Sequence, residues 1–285
     1  MPKALVGGVE VNYRQVGCGP DLVLVHGLGA NMAFWHLTLV QTLAEAFHVT
    51  LLDLRGHGYS QMPPSGYTPT QMAEDLQALL SALSIPRAHV VGHSFGGEVG
   101  LHLALACPDL VWTLTLADTR LALFQPPMLF KDWPEAARWS SEFRSLGIAI
   151  ADDQPLGYSV LEFLAAPEFQ PIRRALGKQR FFPFAGFSGG QRSAERWRTL
   201  LQTTSARQDF EDRAMPLEAV RGMRPPALLV YGEYSHCLPT MQGLHQALPD
   251  SSVVVVPGVG HFHPAVTPRT FGEHLTDFLA GRRRP

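Results

Sequence analysis

Six short runs of almost unbroken apolar residues constrain this 285-residue chain more than any other feature. Asp21-Leu-Val-Leu-Val-His26 is the clearest, and residues 48–53, 88–92, 111–117, 227–231 and 252–256 repeat the pattern. Apolar side chains at consecutive positions suit strands covered on both faces, which is the condition of a parallel sheet. Stretches with apolar residues at helical spacing separate most of these runs: 33–47, 69–83, 95–106, 240–248 and 268–280. In 69–83 the residues Met72, Leu76, Leu79, Leu80 and Leu83 form a single stripe. Two further strands, 3–7 and 9–16, meet at Gly7-Gly8. The alternation predicts an α/β fold: a mostly parallel eight-stranded sheet with helices on both faces.

Residues 120–222 break this rhythm. They are rich in aromatic residues and arginine and carry no buried-strand pattern. The expected organisation is a core of 1–119 and 223–285, with 120–222 inserted as a helical cap over one end of the sheet. Phe124, Phe130, Trp139, Phe143 and Trp197 lie in the insertion, as do Trp133, Phe163, Phe181, Phe182, Phe184 and Phe187. Such residues either line an apolar pocket or form the insertion's own small core.

Hydrophobic residues make up 46% of the chain and charged residues 17%, a balance that buries a large core rather than leaving the chain disordered. A net charge of −2 gives no electrostatic footprint for nucleic acid. The basic run Arg282–Arg284 reads as a solvated end. Cys18, Cys107 and Cys237 are odd in number and far apart, without metal-ligand spacing, which fits a reducing, cytoplasmic setting. No stretch of about 18 apolar residues is present, so no membrane span is expected.

The chemistry concentrates in three segments. Gly92-His93-Ser94-Phe95-Gly96 follows a strand and opens a helix, the context in which a G-x-S-x-G serine projects from a tight turn as a nucleophile. A helix N-terminus there supplies N–H groups and a dipole that favour developing negative charge. His26-Gly27-Leu28-Gly29 follows an earlier strand, and the backbone N–H groups of Leu28 and Phe95 are the candidate oxyanion-hole donors. Gly258-Val259-Gly260-His261 follows the last strand. A histidine on a loop at that end can take the serine proton. Of 12 histidines, His261 is favoured over its neighbour His263 because it directly follows the Gly-x-Gly turn.

These segments, together with Asp53-Leu-Arg-Gly-His-Gly-Tyr-Ser60, resemble the α/β-hydrolase superfamily in its capped, esterase-like branch, in order and in spacing. The resemblance implies a serine hydrolase with Ser94 as nucleophile and His261 as base, needing no cofactor or metal. Asp53–Ser60 resembles a structural loop of the family. One position departs from the pattern. The family acid normally stands three residues after the glycine ending the penultimate strand, and here that position is Ser235. Asp118, at the end of the strand after the nucleophile helix, is the leading substitute, and certain haloalkane dehalogenases look similar in carrying their acid there. Glu233 and an unassisted Ser–His dyad are the alternatives. The implied substrate is a small apolar or aromatic carboxylic ester, lactone or thioester. Carbon–carbon bond hydrolysis, acyl transfer or cyclisation, and non-catalytic ligand binding are the competing readings.

Overall fold

The computed structural model describes residues 2–132, 136–145, 147, 149–155, 188–211 and 215–282. Eight strands form one sheet: β1 (Lys3–Val6), β2 (Val9–Val16), β3 (Asp21–Val25), β4 (His48–Leu52), β5 (Ala88–His93), β6 (Val111–Ala117), β7 (Ala227–Gly232) and β8 (Ser251–Val256). Their order is β1-β2-β4-β3-β5-β6-β7-β8. The pairs β1/β2 and β2/β4 are antiparallel, and every pair from β4 across to β8 is parallel.

Five of the six apolar runs behave as strands covered on both sides; β8, at the sheet edge, is only partly covered, with Val255 44% exposed. In β3, Val23 and Val25 enter one core with Leu76 and Leu101, while Leu22 and Leu24 enter the other with Trp35 and Phe271. Side chains alternate across a strand, so each run feeds both cores. The helices Pro69–Ala82 and Phe95–Ala106 cover the first face. The short helices Ala33–His36 and Val40–Leu43, with Pro268–Ala280, cover the second.

The single helix expected over 33–47 is therefore two short ones. The break falls at Leu37–Leu39, where Leu39 leaves helical backbone geometry (φ −121°, ψ −24°). The expected 69–83 helix is present, with Thr68 as N-cap accepting from Gln71 N (3.2 Å) and Pro69 in the first turn.

From β3 the chain leaves over one face to β4, and from β5 it leaves over the other face to β6. Neighbouring strands whose connections diverge open a crevice at their carboxyl ends, where ligands bind in open α/β sheets. The His26–Gly29 turn and Ser94 both lie at that point.

Candidate active site

Ser94 occupies a backbone conformation that serine rarely adopts, φ 54° and ψ −122°, between β5 and the Phe95–Ala106 helix. Such a conformation costs about 1–3 kcal/mol and persists only where the surroundings enforce it. Here they do: Ser94 N donates to Ala117 O at 2.9 Å, and Gly97 N donates to Ser94 O at 3.0 Å. Gly96 is required by close approach. A Cβ there would sit 2.5 Å from both His26 O and Val25 O, backbone atoms that cannot give way. The turn is thus wedged against the end of β3.

The turn after β3 packs against the nucleophile turn: a Cβ on Gly27 would lie 3.1 Å from Ser94 Cβ.

His261 reaches the serine from the far side. Its Nε2 is 3.1 Å from Ser94 Oγ, within range for the hydroxyl to donate. The loop carrying it is pinned twice. Tyr234 N donates to Val259 O (2.9 Å), and His93 Nε2–H donates to the carbonyl of His261 itself (2.9 Å). Burial, then the neighbouring His236, His93 and His263, hold the His261 pKa well below 6.5. A neutral imidazole with its lone pair toward Ser94 is the form a general base requires.

The structure does not bring Asp118 to His261. The Asp118 carboxylate is fully buried, and its Oδ2 lies 3.0 Å from His263 Nε2 and accepts from Gly232 N at 3.1 Å. His263 also approaches Val230 O (3.1 Å). The expected acid is displaced by a competitor: two residues past His261 the chain turns into the core, and His263 takes the carboxylate. Asp118 itself has a left-handed backbone, φ 49°. Burial pushes its carboxyl above the ordinary value, against the opposing pull of His263. Glu233 is equally remote in role, accepting from Gly258 N at 2.8 Å on the surface. Ser235, at the family acid position, accepts from Cys237 N (3.0 Å).

The atom that faces His261 Nδ1 is Cys237 Sγ, at 3.8 Å. His236 packs beside it, ring centroids 4.8 Å from those of His261. Neither residue stood out in the sequence. The only signal was adjacency to Ser235.

The remaining segments support these groups. Asp53 accepts from Met32 N (2.7 Å), Asn12 Nδ2 (2.7 Å) and Tyr59 N (2.9 Å), and so ties loops together. His26 holds the loop after β4 through Leu54 N (3.0 Å). Histidines 36, 48, 89, 102 and 245 each pair elsewhere, with Arg14, Asp21, Thr113, Thr70 and Ser251.

Within 120–222, the helix Ser188–Thr203 docks on these loops. Arg196 donates to Ser60 O, and Asn31 Nδ2 donates to Ser193 Oγ (3.2 Å). Trp197 stacks on Phe210 at 5.6 Å, and Phe210 meets Phe95 edge-on at 5.5 Å. Trp197 is thus part of a core adjoining the nucleophile turn. Phe130 and Phe143 are buried as well. Trp133, Phe163, Phe181, Phe182, Phe184 and Phe187 lie outside the described residues.

A strand–turn–helix serine facing a loop histidine at the carboxyl edge of a parallel sheet is the arrangement of one large enzyme class, and the family comparison agrees. Residues 20–264 match the model of the alpha/beta hydrolase fold, and the chain belongs to that family. Its curated relatives include hydrolases. It is 26% identical to the 2-(acetamidomethylene)succinate hydrolase of Mesorhizobium japonicum, over 96% of this chain and 93% of that one. It is 29% identical to the putative carbamate hydrolase RutD of Azorhizobium caulinodans, over 98% of each. Among solved structures, the enol-lactonase from Burkholderia xenovorans superposes with a TM-score of 0.68 at 24% identity, over 98% of this chain and all of that one, a likeness of fold. No helix among the described residues is long and apolar enough to cross a membrane.

Proposed function

We propose that this chain is a serine hydrolase that cleaves a small carboxylic ester, lactone or thioester through an acyl-enzyme on Ser94. The observation that carries this reading is the 3.1 Å contact between Ser94 Oγ and the neutral His261 Nε2. His261 takes the Ser94 proton as Oγ attacks the substrate carbonyl. The N–H groups of Leu28 and Phe95 receive the oxyanion. His261 then protonates the leaving group and activates the water that releases the acid.

Asp118 supports this chemistry at one remove. By binding His263 and Gly232 N it ties the segment just after His261 to the end of β7. Among the described residues, the group facing the Nδ1 of the imidazolium formed in turnover is the Cys237 thiol rather than a carboxylate. Residues 120–222 act as a helical cap, and the aromatic richness of that segment makes an apolar or aromatic acyl group the fitting substrate. Three free thiols suit a reducing, cytoplasmic setting.

The test is a panel of p-nitrophenyl esters, aryl lactones and acyl thioesters, assayed with the chain and with Ser94→Ala. Serine-dependent turnover on at least one class supports the reading. Turnover that is absent throughout, or unchanged by Ser94→Ala, overturns it and leaves non-catalytic ligand binding as the alternative.

A further inference from the structure

Behind the candidate base lie two side chains that acyl transfer does not use, His236 and Cys237. His236, Cys237 and His261 each offer one ligand atom, and these three atoms lie within 4.8 Å of one another. Cys237 Sγ and His261 Nδ1 are already 3.8 Å apart, and the two imidazole rings are 4.8 Å apart at 45°. Tetrahedral zinc, with bonds of about 2.0–2.3 Å to nitrogen and sulfur, sets its ligand atoms roughly 3.3–3.8 Å apart. Contraction of about 1 Å at the widest separation would close the group around an ion. The backbone beneath it is held: Gln125 Nε2 donates to His236 O (2.6 Å), and Cys237 N donates to Ser235 Oγ (3.0 Å).

We propose that His236, Cys237 and His261 Nδ1 form an inhibitory site for a zinc-class cation, with the fourth position open to water. Two imidazoles and a thiolate are a borderline-soft donor set that selects zinc, cadmium or cobalt over magnesium or calcium. The ion is not a cofactor of the hydrolysis. On binding, the Cys237 Sγ–H bond breaks, its proton passes to solvent and a metal–sulfur bond forms. The lone pair of His261 Nδ1 goes to the metal, and the ring proton is then held on Nε2. That nitrogen donates toward Ser94 Oγ instead of accepting from it, so the metal removes the base without touching the serine. The inhibitory consequence rests on the proposed hydrolase mechanism, whereas the binding site does not.

Cadmium titration of the full-length chain tests the site without substrate. One equivalent should produce a thiolate-to-cadmium charge-transfer band in the ultraviolet. Cys237→Ser should abolish the band, Cys18→Ser should leave it, and His236→Gln, which keeps the thiol but removes a ligand, should weaken cadmium binding by more than the roughly 10–100-fold seen when only an outer-shell partner is lost. Circular dichroism of each variant establishes that it is folded. Zinc should suppress ester turnover, and a chelator should restore it. No band in the wild type, or a band that survives Cys237→Ser, overturns the proposal, and so does a His236→Gln variant with undiminished affinity. A chain that binds cadmium at Cys237 but hydrolyses nothing retains the metal site and loses the hydrolase reading. A chain that hydrolyses esters without the band does the reverse.

Discussion

His93 donates its Nε2–H to the backbone carbonyl of His261 at 2.9 Å, so the residue before the candidate nucleophile holds the residue that carries the candidate base. The two groups come from loops 167 positions apart, and their registration rests on this one side chain more than on any local sequence. The His93 ring is itself fixed by stacking on Phe34, centroids 4.5 Å apart. Replacement by Phe keeps the stacking and removes the donor. A buried hydrogen bond of this kind contributes about 1 kcal/mol, so His93→Phe should lower kcat by roughly fivefold with little change in KM. Steady-state kinetics on the best ester of the panel checks this, and an unchanged kcat would show that the tether is dispensable.

Asp118 offers a sharper contrast. In serine proteases an orienting carboxylate on the histidine is worth roughly four orders of magnitude in turnover. Asp118 instead faces His263 within the core. Asp118→Asn should therefore cost mainly stability, about 3–5 kcal/mol as for a broken buried pair, while the folded enzyme loses much less than 10⁴-fold in kcat. Thermal unfolding and kinetics well below the melting temperature separate the two. A stable variant with a 10⁴-fold loss would return Asp118 to direct contact with the base.

Acid should loosen the fold before carboxylates titrate. His26 and His236 are pushed down to about 4, and His57 and His93 to about 3, in each case chiefly by burial. The folded state binds these protons only at those values, whereas the unfolded chain binds them near 6.5. The unfolded state therefore holds more protons between pH 6.5 and about 4, and stability falls as pH falls through that window. His26 shows why protonation is resisted: its Nδ1–H donates to Gly27 O (2.8 Å), while Nε2 must stay bare to accept from Leu54 N. The expected loss is of order 1 kcal/mol per histidine per pH unit. Urea midpoints at pH 7, 6 and 5 should decline steadily, and a flat profile would contradict the burial of neutral histidines.

The nucleophile turn should tolerate no side chain at Gly96. With backbone carbonyls 2.5 Å from the site of a Cβ, Gly96→Ala has no rotamer to escape into. The variant should accumulate as insoluble or loosely folded protein, visible in its circular dichroism and solubility. Normal folding would mean that β3 and the turn can separate.

The sequence made some of this legible and concealed the rest, for identifiable reasons. Runs such as 21–26 announced strands with two covered faces because every position is apolar, and the glycines at 92 and 96 marked the turn because only glycine fits there. The Ser94–His261 contact followed from both residues lying at carboxyl ends of strands in one sheet. The partner of Asp118 did not follow. Whether a strand-end carboxylate meets His261 or His263 depends on how a loop turns inward, and sequence position places both histidines equally near. Cys237 and His236 were hidden for the same reason, since their approach to His261 is a product of loop packing. The break at Leu37–Leu39 is a change of backbone conformation that apolar periodicity does not register.

The claim on which the rest stands is that Ser94 is an activated nucleophile. Intact-mass analysis after treatment with a fluorophosphonate probe measures this directly. The chain should gain one adduct, mapped by peptide fragmentation to Ser94, and both Ser94→Ala and His261→Gln should remain unlabelled while folded. A wild-type chain that stays unlabelled, or an adduct that persists in folded Ser94→Ala, would contradict the account.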